Sequence, residues 1–368
     1  MEFQPKKAKE KKRLLNRSAM ISIIALVLAM LTSGIIIKVS GYSPIEAISA
    51  IFKGAFDGKA AIARTLVQST PLILSGLAFT VAKKAQLINL GVEGQMYLGA
   101  LAAAMVGSVD FGLPHALHLL VAILSGMVVG GLLAGIVGVM KVRFGSNEVI
   151  ATIMLNSIAV LVSNYLASNP WKAVGSVTGQ TEKILEKVRL ARIIPHTQLT
   201  IAIAIAVLAC VLMKWFFDHT ISGYEIKVVG QNQTAAQIAG IKTGKVVILS
   251  MLLSGTIGGL AGSLHVLGVD GRFIVDFSPG YGFSGIAVAA LAAGSPIGVI
   301  LSGLVFGAIR SGAMLLDLKT NIPLTYADVV QALVILFVAT PLLIIEMMQK
   351  SKQAMQAIIP SKKRGTES

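Results

Sequence analysis

Long apolar runs alternate with short polar segments along most of the chain. The apolar runs are about 20 residues long, which is the length of helix that crosses about 30 Å of hydrocarbon. We therefore predict an all-α, polytopic membrane protein with about ten transmembrane helices. The predicted spans are residues 19–39, 62–82, 85–106, 117–140, 149–167, 198–217, 246–267, 282–295, 297–315 and 327–347.

Two regions of this pattern are irregular. Residues 19–39 follow a basic segment as a signal peptide would, but the run is too long and no small-x-small cleavage site follows it. We interpret it as a retained first span. Ser295-Pro296 divides one long apolar stretch into the eighth and ninth spans, and the eighth is too short to cross a membrane alone.

The tripeptide Leu-Ser-Gly occurs four times, which indicates an internal repeat. The copies begin at residues 74, 124, 253 and 301, so that the second and fourth spans correspond to the seventh and ninth. A shift of five spans reverses direction across the membrane, and this predicts a 5+5 inverted repeat with the transport path at its interface. The alternative is that small residues simply recur where membrane helices pack closely.

Composition and charge support a membrane protein. Hydrophobic residues make up 55% of the chain and charged residues 13%, against about 25% charged residues in soluble domains. The net charge of +15 does not indicate nucleic acid binding, because most of the bases lie in alternate segments between the spans. That distribution places both termini in the cytoplasm.

The predicted domain organisation follows from the same charge pattern. Residues 1–18 form a basic cytoplasmic tail, residues 19–347 the transmembrane domain, and residues 348–368 a second basic cytoplasmic tail. The longest cytoplasmic loop between spans, residues 218–245, is predicted to contain a short helix that ends at Gly240. Such a helix suits docking to another protein.

No chemistry of catalysis or metal binding is visible in the sequence. The five histidines lack metal-ligand spacing, and no Gly-x-x-x-x-Gly-Lys-Ser/Thr motif is present. Cys210 lies alone in an apolar run and indicates a packed, inert thiol. We therefore expect a transport subunit rather than an enzyme, with no cofactor on this chain.

The most unusual segment is Asn-Leu-Gly-Val-Glu-Gly-Gln at residues 89–95, inside the third predicted span. A carboxylate within a span is costly and indicates a functional site. For Glu93 two interpretations are open. The side chain contacts substrate, or it is a structural bridge that caps broken backbone or pairs with Arg310, a base deep in the ninth span.

Several motifs in order resemble permeases of ATP-binding-cassette (ABC) importers, in the branched-chain amino acid and simple-sugar superfamily. Residues 89–95 resemble the signature of these permeases, and residues 230–241 (GQNQTAAQIAGI) resemble their coupling segment. Residues 146–156 and 278–289 are most similar to the nucleoside branch. The resemblance covers about residues 60–345 and omits the N-terminal tail and the loop 168–197.

This resemblance implies a mechanism and a set of partners. A second permease subunit, identical or related, would complete the pore, and a cytoplasmic ATPase with bound ATP and Mg would dock on the coupling segment. An extracellular binding protein would deliver the nucleoside. The protein would lie in the plasma (inner) membrane.

The candidate site residues fall into three groups by depth and chemistry. Amides, a carboxylate and aromatic rings suited to a nucleoside are expected along the substrate pathway: Asn89, Glu93, Gln95, Tyr97, Asn156, Tyr281 and Phe283. The ATPase-coupling residues are expected to be Gly230, Asn232, Ala235, Ala236, Gly240 and Ile241. Asn147 and Glu148, beside cytoplasmic bases, are expected to act at a gate.

Three alternatives to a nucleoside importer remain. The first is a permease for simple sugars or branched-chain amino acids. The second is a secondary transporter with Glu93 as proton carrier, which would leave the coupling-like segment unexplained. The third is a purely structural subunit, in which substitutions at Glu93 and Asn89 would not alter uptake.

Overall fold

The computed structural model describes residues 27–28, 31–320, 329, 332–333 and 336, with side chains up to residue 315 in the main range. The predicted tails at residues 1–18 and 348–368 lie outside the described residues, as does most of the predicted span 327–347. The chain divides into two compact units, one of Met1–Pro44 with Asp328–Ser368 and the other of Ile45–Ala327. In the first unit, residues 27–28 and 31–39 are helical, and residues 31–39 are called α1.

Helices dominate the described residues, in agreement with the predicted all-α class. The helices after α1 are α2 (Pro44–Phe56), α3 (Gly58–Lys84), α4 (Val92–Ser108), α5 (His115–Phe144), α6 (Glu148–Ser168), α7 (Ala202–His219), α8 (Ile221–Gln231), α9 (Gln233–Ile238), α10 (Thr243–His265), α11 (Tyr281–Leu291) and α12 (Pro296–Thr320). A π-helical turn, Val266–Asp270, extends α10, and a short 3₁₀ turn, Glu186–Val188, lies in the loop before α7.

Six described segments are long and apolar enough to cross a membrane: Gly58–Lys84, His115–Phe144, Glu148–Ser168, Ala202–His219, Thr243–Asp270 and Pro296–Leu315. The predicted third span is wrong at its start, since residues 85–91 form a non-helical loop before the 17-residue α4. The predicted eighth span is confirmed as short, because α11 has 11 residues. The polar loop 218–245 contains two helices, α8 and α9, rather than one.

Two helices form the centre of the unit Ile45–Ala327. The most apolar windows of α3 and α10 are 78% and 72% buried, whereas those of α6 and α7 are 28% and 22% buried. α10 packs mainly on α5 and α4, and α3 packs mainly on α12 and α11. The two central helices therefore have equivalent neighbours, as the predicted repeat requires.

Contacts between the two central helices show that they run in opposite directions. Ser254 of α10 donates a hydrogen bond to the carbonyl of Ala78 on α3 at 2.7 Å. Farther along α10, Leu264 lines a cavity together with Val67, which is earlier on α3. This antiparallel arrangement is the one that an inverted repeat predicts.

Glycines allow the close packing of α4, α5 and α10. A Cβ added at Gly259 would lie 2.1 Å from the carbonyl oxygen of Gly126 on α5, and one at Gly262 would lie 2.0 Å from that of Met96 on α4. No side chain fits such a gap, so the helix backbones touch directly.

The loop of residues 169–201, called the long loop below, packs on one end of the helices. Its backbone hydrogen-bonds to Gly107 at the end of α4 and to Gly271 after the π-helical turn. Three of its own side chains are buried, those of Ile184, Val188 and Leu190. Lys187 donates a 2.6 Å hydrogen bond to Asp110, and this bond lowers the pKa of that exposed carboxyl group. The opposite end, with α8 and α9, is called the α9 end.

Candidate functional site

Asn89 links three helices through a fully satisfied side chain. Its Nδ2 donates to Gln95 Oε1 at 3.1 Å and to Ser254 Oγ at 2.8 Å. Its Oδ1 accepts from the amide of Gly91 and from Gln95 Nε2, each at 3.0 Å. Because Ser254 also binds α3, this bonding joins α3, α4 and α10. All of the hydrogen-bonding capacity of Asn89 is thus used within the protein.

Helix α6 supplies partners for the broken backbone before and at the start of α4. The hydroxyl of Thr152 accepts from the amide of Leu90 at 3.2 Å, and Asn156 Oδ1 accepts from the amide of Gly94 at 2.6 Å. The first amides of a helix lack intrahelical partners, so these two polar side chains allow α4 to begin inside an apolar environment.

Glu93 connects the start of α4 to the start of α11. Its buried carboxylate accepts a hydrogen bond from the amide of Gly282. A Cβ added at Gly282 would lie 2.4 Å from the backbone nitrogen of Glu93, so glycine is required there. The carboxylate caps backbone, which was one of the structural roles considered from the sequence. We call Asn89, Glu93, Gln95, Asn156 and Ser254 the polar joint.

Pairing with Arg310, the other structural role considered for Glu93, is not seen among the described residues. No Glu93–Arg310 pair within 4.0 Å occurs among the described ion pairs. Arg310 instead donates a 2.8 Å hydrogen bond to the carbonyl of Pro279, and its guanidinium group lies 4.8 Å from the ring centroid of Tyr281. It therefore supports the backbone leading into α11 and makes a cation–π contact.

Two of the candidate aromatic residues are packed beside the polar joint. The Tyr97 ring lies 4.7 Å from that of Phe277, and the Tyr281 hydroxyl donates to Gln68 on α3 at 2.5 Å. Phe283 is 49% exposed on another face of α11 and makes none of the described ring contacts with this cluster. The structure thus separates it from Tyr97 and Tyr281.

Sequence reasoning missed Gln68, His265, Phe273 and Phe277 as neighbours of this cluster. For Gln68 and His265 a signal existed, because each is a polar side chain within an apolar run. The two phenylalanines carry no such signal, since they lie in a loop whose packing depends on the fold.

At the α9 end, a side-chain cap and a glycine define where α9 begins and ends. Asn232 caps α9 by accepting from the amide of Ala235 at 2.9 Å, and Gly240 ends the segment with a φ of +82°. Ala236 is buried, whereas Ile238 is 85% exposed, so α9 presents an apolar side chain outward. The amide of Ile241 donates a hydrogen bond to the carbonyl of Ala236.

Gly230 fixes α8 against the end of α3. A Cβ added at Gly230 would lie 2.0 Å from the carbonyl oxygen of Lys84. At the same end of the unit, Asn147 caps α6 by accepting from the amide of Val149 at 2.9 Å, and Glu148 pairs with Lys141 of α5 at 2.7 Å. Asn147 and Glu148 therefore fix the turn between α5 and α6.

Comparisons with known proteins identify the family to which this chain is similar. Residues 61–339 match the family described as "Branched-chain amino acid transport system / permease component". The chain is 37% identical over 342 residues to the guanosine ABC transporter permease protein NupP of Bacillus subtilis, covering 91% of this chain and 97% of the relative.

Two further relatives align over most of their length. The nucleoside ABC transporter permease protein NupB of Lactococcus lactis is 33% identical, over 95% of this chain and 98% of the relative. The glucose ABC transporter permease protein TsgB13 of Haloferax volcanii is 31% identical, over 86% of each chain. With its bundle of apolar helices, this multi-pass membrane protein belongs to the permease component family of branched-chain amino acid transport systems.

Proposed function

We propose that this chain is the membrane translocation subunit of an ATP-driven importer of nucleosides. The observation that carries the proposal is the similarity, over more than 90% of the chain, to two permeases named for guanosine and nucleoside transport. The chain forms one half of the pathway, and a second permease chain, identical or related, forms the other half.

The substrate pathway runs beside the polar joint, along the rings of Tyr97 and Tyr281, and not along Phe283, which lies on another face of α11. The amides of the joint already have protein partners. Asn89, Gln95 and Asn156 therefore hold the wall of the pathway in shape rather than bind substrate. Glu93 has the same role, because its carboxylate caps α11.

The ATPase docks on α9. Two features support this docking site. α9 is a short, capped helix outside the spans that exposes Ile238. Gly230 lets α8 pack directly against the end of α3. ATP and Mg are bound by the ATPase, which is a separate chain. Because α9 packs against α8 and α10, and α8 packs against α3 and α10, a movement of α9 is passed to α10 directly and to α3 through α8.

The orientation follows from this docking. The α9 end faces the cytoplasm, with the basic segments 1–18 and 348–368 as tails on the same side of residues 19–347. The turn at Asn147 and Glu148 then lies at the cytoplasmic gate. The long loop faces outward, where a substrate-binding protein delivers its ligand.

A sugar is the second candidate substrate. The relative named as a glucose ABC transporter permease is 31% identical over 86% of this chain and 86% of its own length. A nucleoside contains a sugar ring, and a pathway shaped for one class is chemically close to the other.

Uptake in intact cells tests the proposal. Cells with and without this chain are supplied with labelled guanosine, adenosine, uridine, glucose, ribose or leucine. The measurements are repeated after ATP depletion while the proton gradient is maintained. We expect chain-dependent nucleoside uptake that is lost with ATP.

The other outcomes assign other functions. Chain-dependent uptake of glucose, ribose or leucine alone would identify a sugar or amino acid importer. Uptake that survives ATP depletion but collapses with the proton gradient would identify a secondary transporter and contradict the docking of an ATPase.

A further inference from the structure

A narrow cavity lies between the two central helices and the end of the long loop. Its enclosed space is about the size of one water molecule, far below the range of about 300–1,000 Å³ that is usual for small-molecule sites. It can therefore take a single hydroxyl or N–H group of a ligand, and the rest of the ligand must lie outside it. Its lining includes Val67 and Thr70 of α3, Leu199 and Thr200 of the long loop, and Leu264 and His265 of α10.

His265 is the ionisable residue in this lining, and one of its nitrogen atoms is unused. The side chain is only 8% exposed, and Nδ1 has no hydrogen-bond partner within the part of the chain that the structure describes. The imidazole ring is held by Phe277 and Tyr281, with centroid distances of 5.4 and 5.6 Å. A buried polar atom without a partner is costly, which suggests that a ligand completes it.

The π-helical turn after α10 determines whether Nδ1 donates or accepts a hydrogen bond, because it places a carboxylate beside the other ring nitrogen, Nε2. It brings Asp270 back toward α10, so that the carboxylate Oδ2 lies 3.4 Å from His265 Nε2. A carboxylate beside one ring nitrogen favours the tautomer with its proton there. Nδ1 then carries a lone pair and is a hydrogen-bond acceptor. π-Helical turns are rare in proteins, and those that occur often lie at functional sites.

We propose that His265 is a specificity residue whose Nδ1 accepts a hydrogen bond from one donor group of the transported nucleoside. The donor is a ribose hydroxyl or an N–H group of the base. This inference rests on the proposed function, since it names a contact for the same substrate. His265 lies on the same ring cluster as Tyr281, so the contact continues the aromatic wall of the pathway.

A cycle of residue and ligand changes tests the contact. Initial uptake rates are measured for guanosine and for analogues that each lack one donor, namely the 2′-deoxy, 3′-deoxy and 5′-deoxy nucleosides and inosine. Cells carry the complete transporter with wild-type chain or with His265→Phe, which keeps an aromatic ring but removes the acceptor. A preference that arises in the substrate-binding protein is the same with wild-type chain and with His265→Phe. It therefore cancels when the guanosine-to-analogue rate ratios of the two are compared.

We expect wild type to prefer guanosine over one analogue, and His265→Phe to reduce that preference by about 3- to 10-fold, as the loss of one hydrogen bond would. Preferences against the other analogues should not change. His118→Phe is the matched control, because His118 is also buried, has an unpartnered Nδ1 among the described residues and lies outside this cavity.

A second variant keeps the test decisive if His265→Phe fails to reach the membrane. In Asp270→Asn the new amide can donate to Nε2, which places the ring proton on Nδ1 and removes the acceptor. It should reduce the same preference. Unchanged preferences in the variants that reach the membrane would overturn the contact. If the wild-type chain transports no nucleoside at all, the proposed function fails, and this inference fails with it.

Discussion

Substitutions at Glu93 distinguish a carboxylate that binds substrate from one that maintains the structure. In Glu93→Ala the amide of Gly282 would lose its buried partner, at a cost of about 1–3 kcal/mol. In Glu93→Gln an acceptor oxygen remains. We therefore expect Glu93→Ala to lower uptake and the amount of folded chain in the membrane equally, while Glu93→Gln retains most of both. The measurement is uptake per unit of chain in purified membranes.

The contrary result is also informative. If uptake by Glu93→Ala falls well below the level of folded chain, the carboxylate contacts substrate and its cap on α11 is secondary.

At the residue scale, the sequence predicted which side chains need partners but not which partners they have. Asn89, Glu93 and Asn156 are visible because amides and carboxylates in apolar runs must be satisfied. Their partners are remote: Ser254 is 165 residues from Asn89, and Gly282 is 189 residues from Glu93. Arg310 was an obvious partner by charge, but backbone amides at a helix start can satisfy a carboxylate equally well.

At the scale of elements, apolar length predicted the six long spans well. It misjudged residues 85–106, because hydropathy averages over Asn89 and its neighbours and does not detect that α6 and α10 supply their hydrogen bonds. It also could not show the π-helical turn after α10. That turn depends on tertiary contacts rather than on the composition of α10.

The packing of α4 on α10 gives a prediction about Gly262. An alanine there would place its Cβ 2.0 Å from the carbonyl oxygen of Met96, so the two helices must separate. Overpacking of this kind costs about 1–3 kcal/mol. We expect Gly262→Ala to lower the melting temperature of the purified chain in detergent. Gly34→Ala is the control, because its Cβ would have its nearest neighbour at an ordinary 3.7 Å.

An unchanged melting temperature for Gly262→Ala would show that α4 and α10 can move apart freely. A fall in both variants would indicate a general sensitivity to substitution of helical glycines.

The exposed face of α9 gives a prediction about assembly. Ile238 is 85% exposed, and Val177 in the long loop is 95% exposed. We expect Ile238→Asp to prevent co-purification of the ATPase with the chain, because a charge replaces an apolar docking contact. Val177→Asp should have no effect on it. Deletion of residues 235–240 should act as Ile238→Asp does, with membrane insertion intact.

Retention of the ATPase by Ile238→Asp and by the deletion would contradict docking on α9. Loss of the ATPase in Val177→Asp as well would indicate misfolding rather than a lost contact.

For the whole molecule, the sidedness of the two ends can be measured with thiol labels. Cys210 is the single cysteine of the chain and is buried, so it provides an unreactive background. We expect a membrane-impermeant maleimide to label Val177→Cys in intact cells and Ile238→Cys only after permeabilisation. The reverse pattern would invert the proposed orientation, and labelling of wild-type chain would show that Cys210 is accessible.

Glu93 belongs to the first turn of α4 and also binds the first turn of α11, so one carboxyl group lies at the N-terminal ends of two helices. Separating those ends would leave the carboxyl group and the amide of Gly282 without partners in a medium of low polarity. The two short helices are therefore expected to travel as one rigid body during a transport cycle. In the proposed transporter, alternating access would then come from sliding elsewhere, along the glycine contacts of α10 or at the contact with the proposed second permease chain.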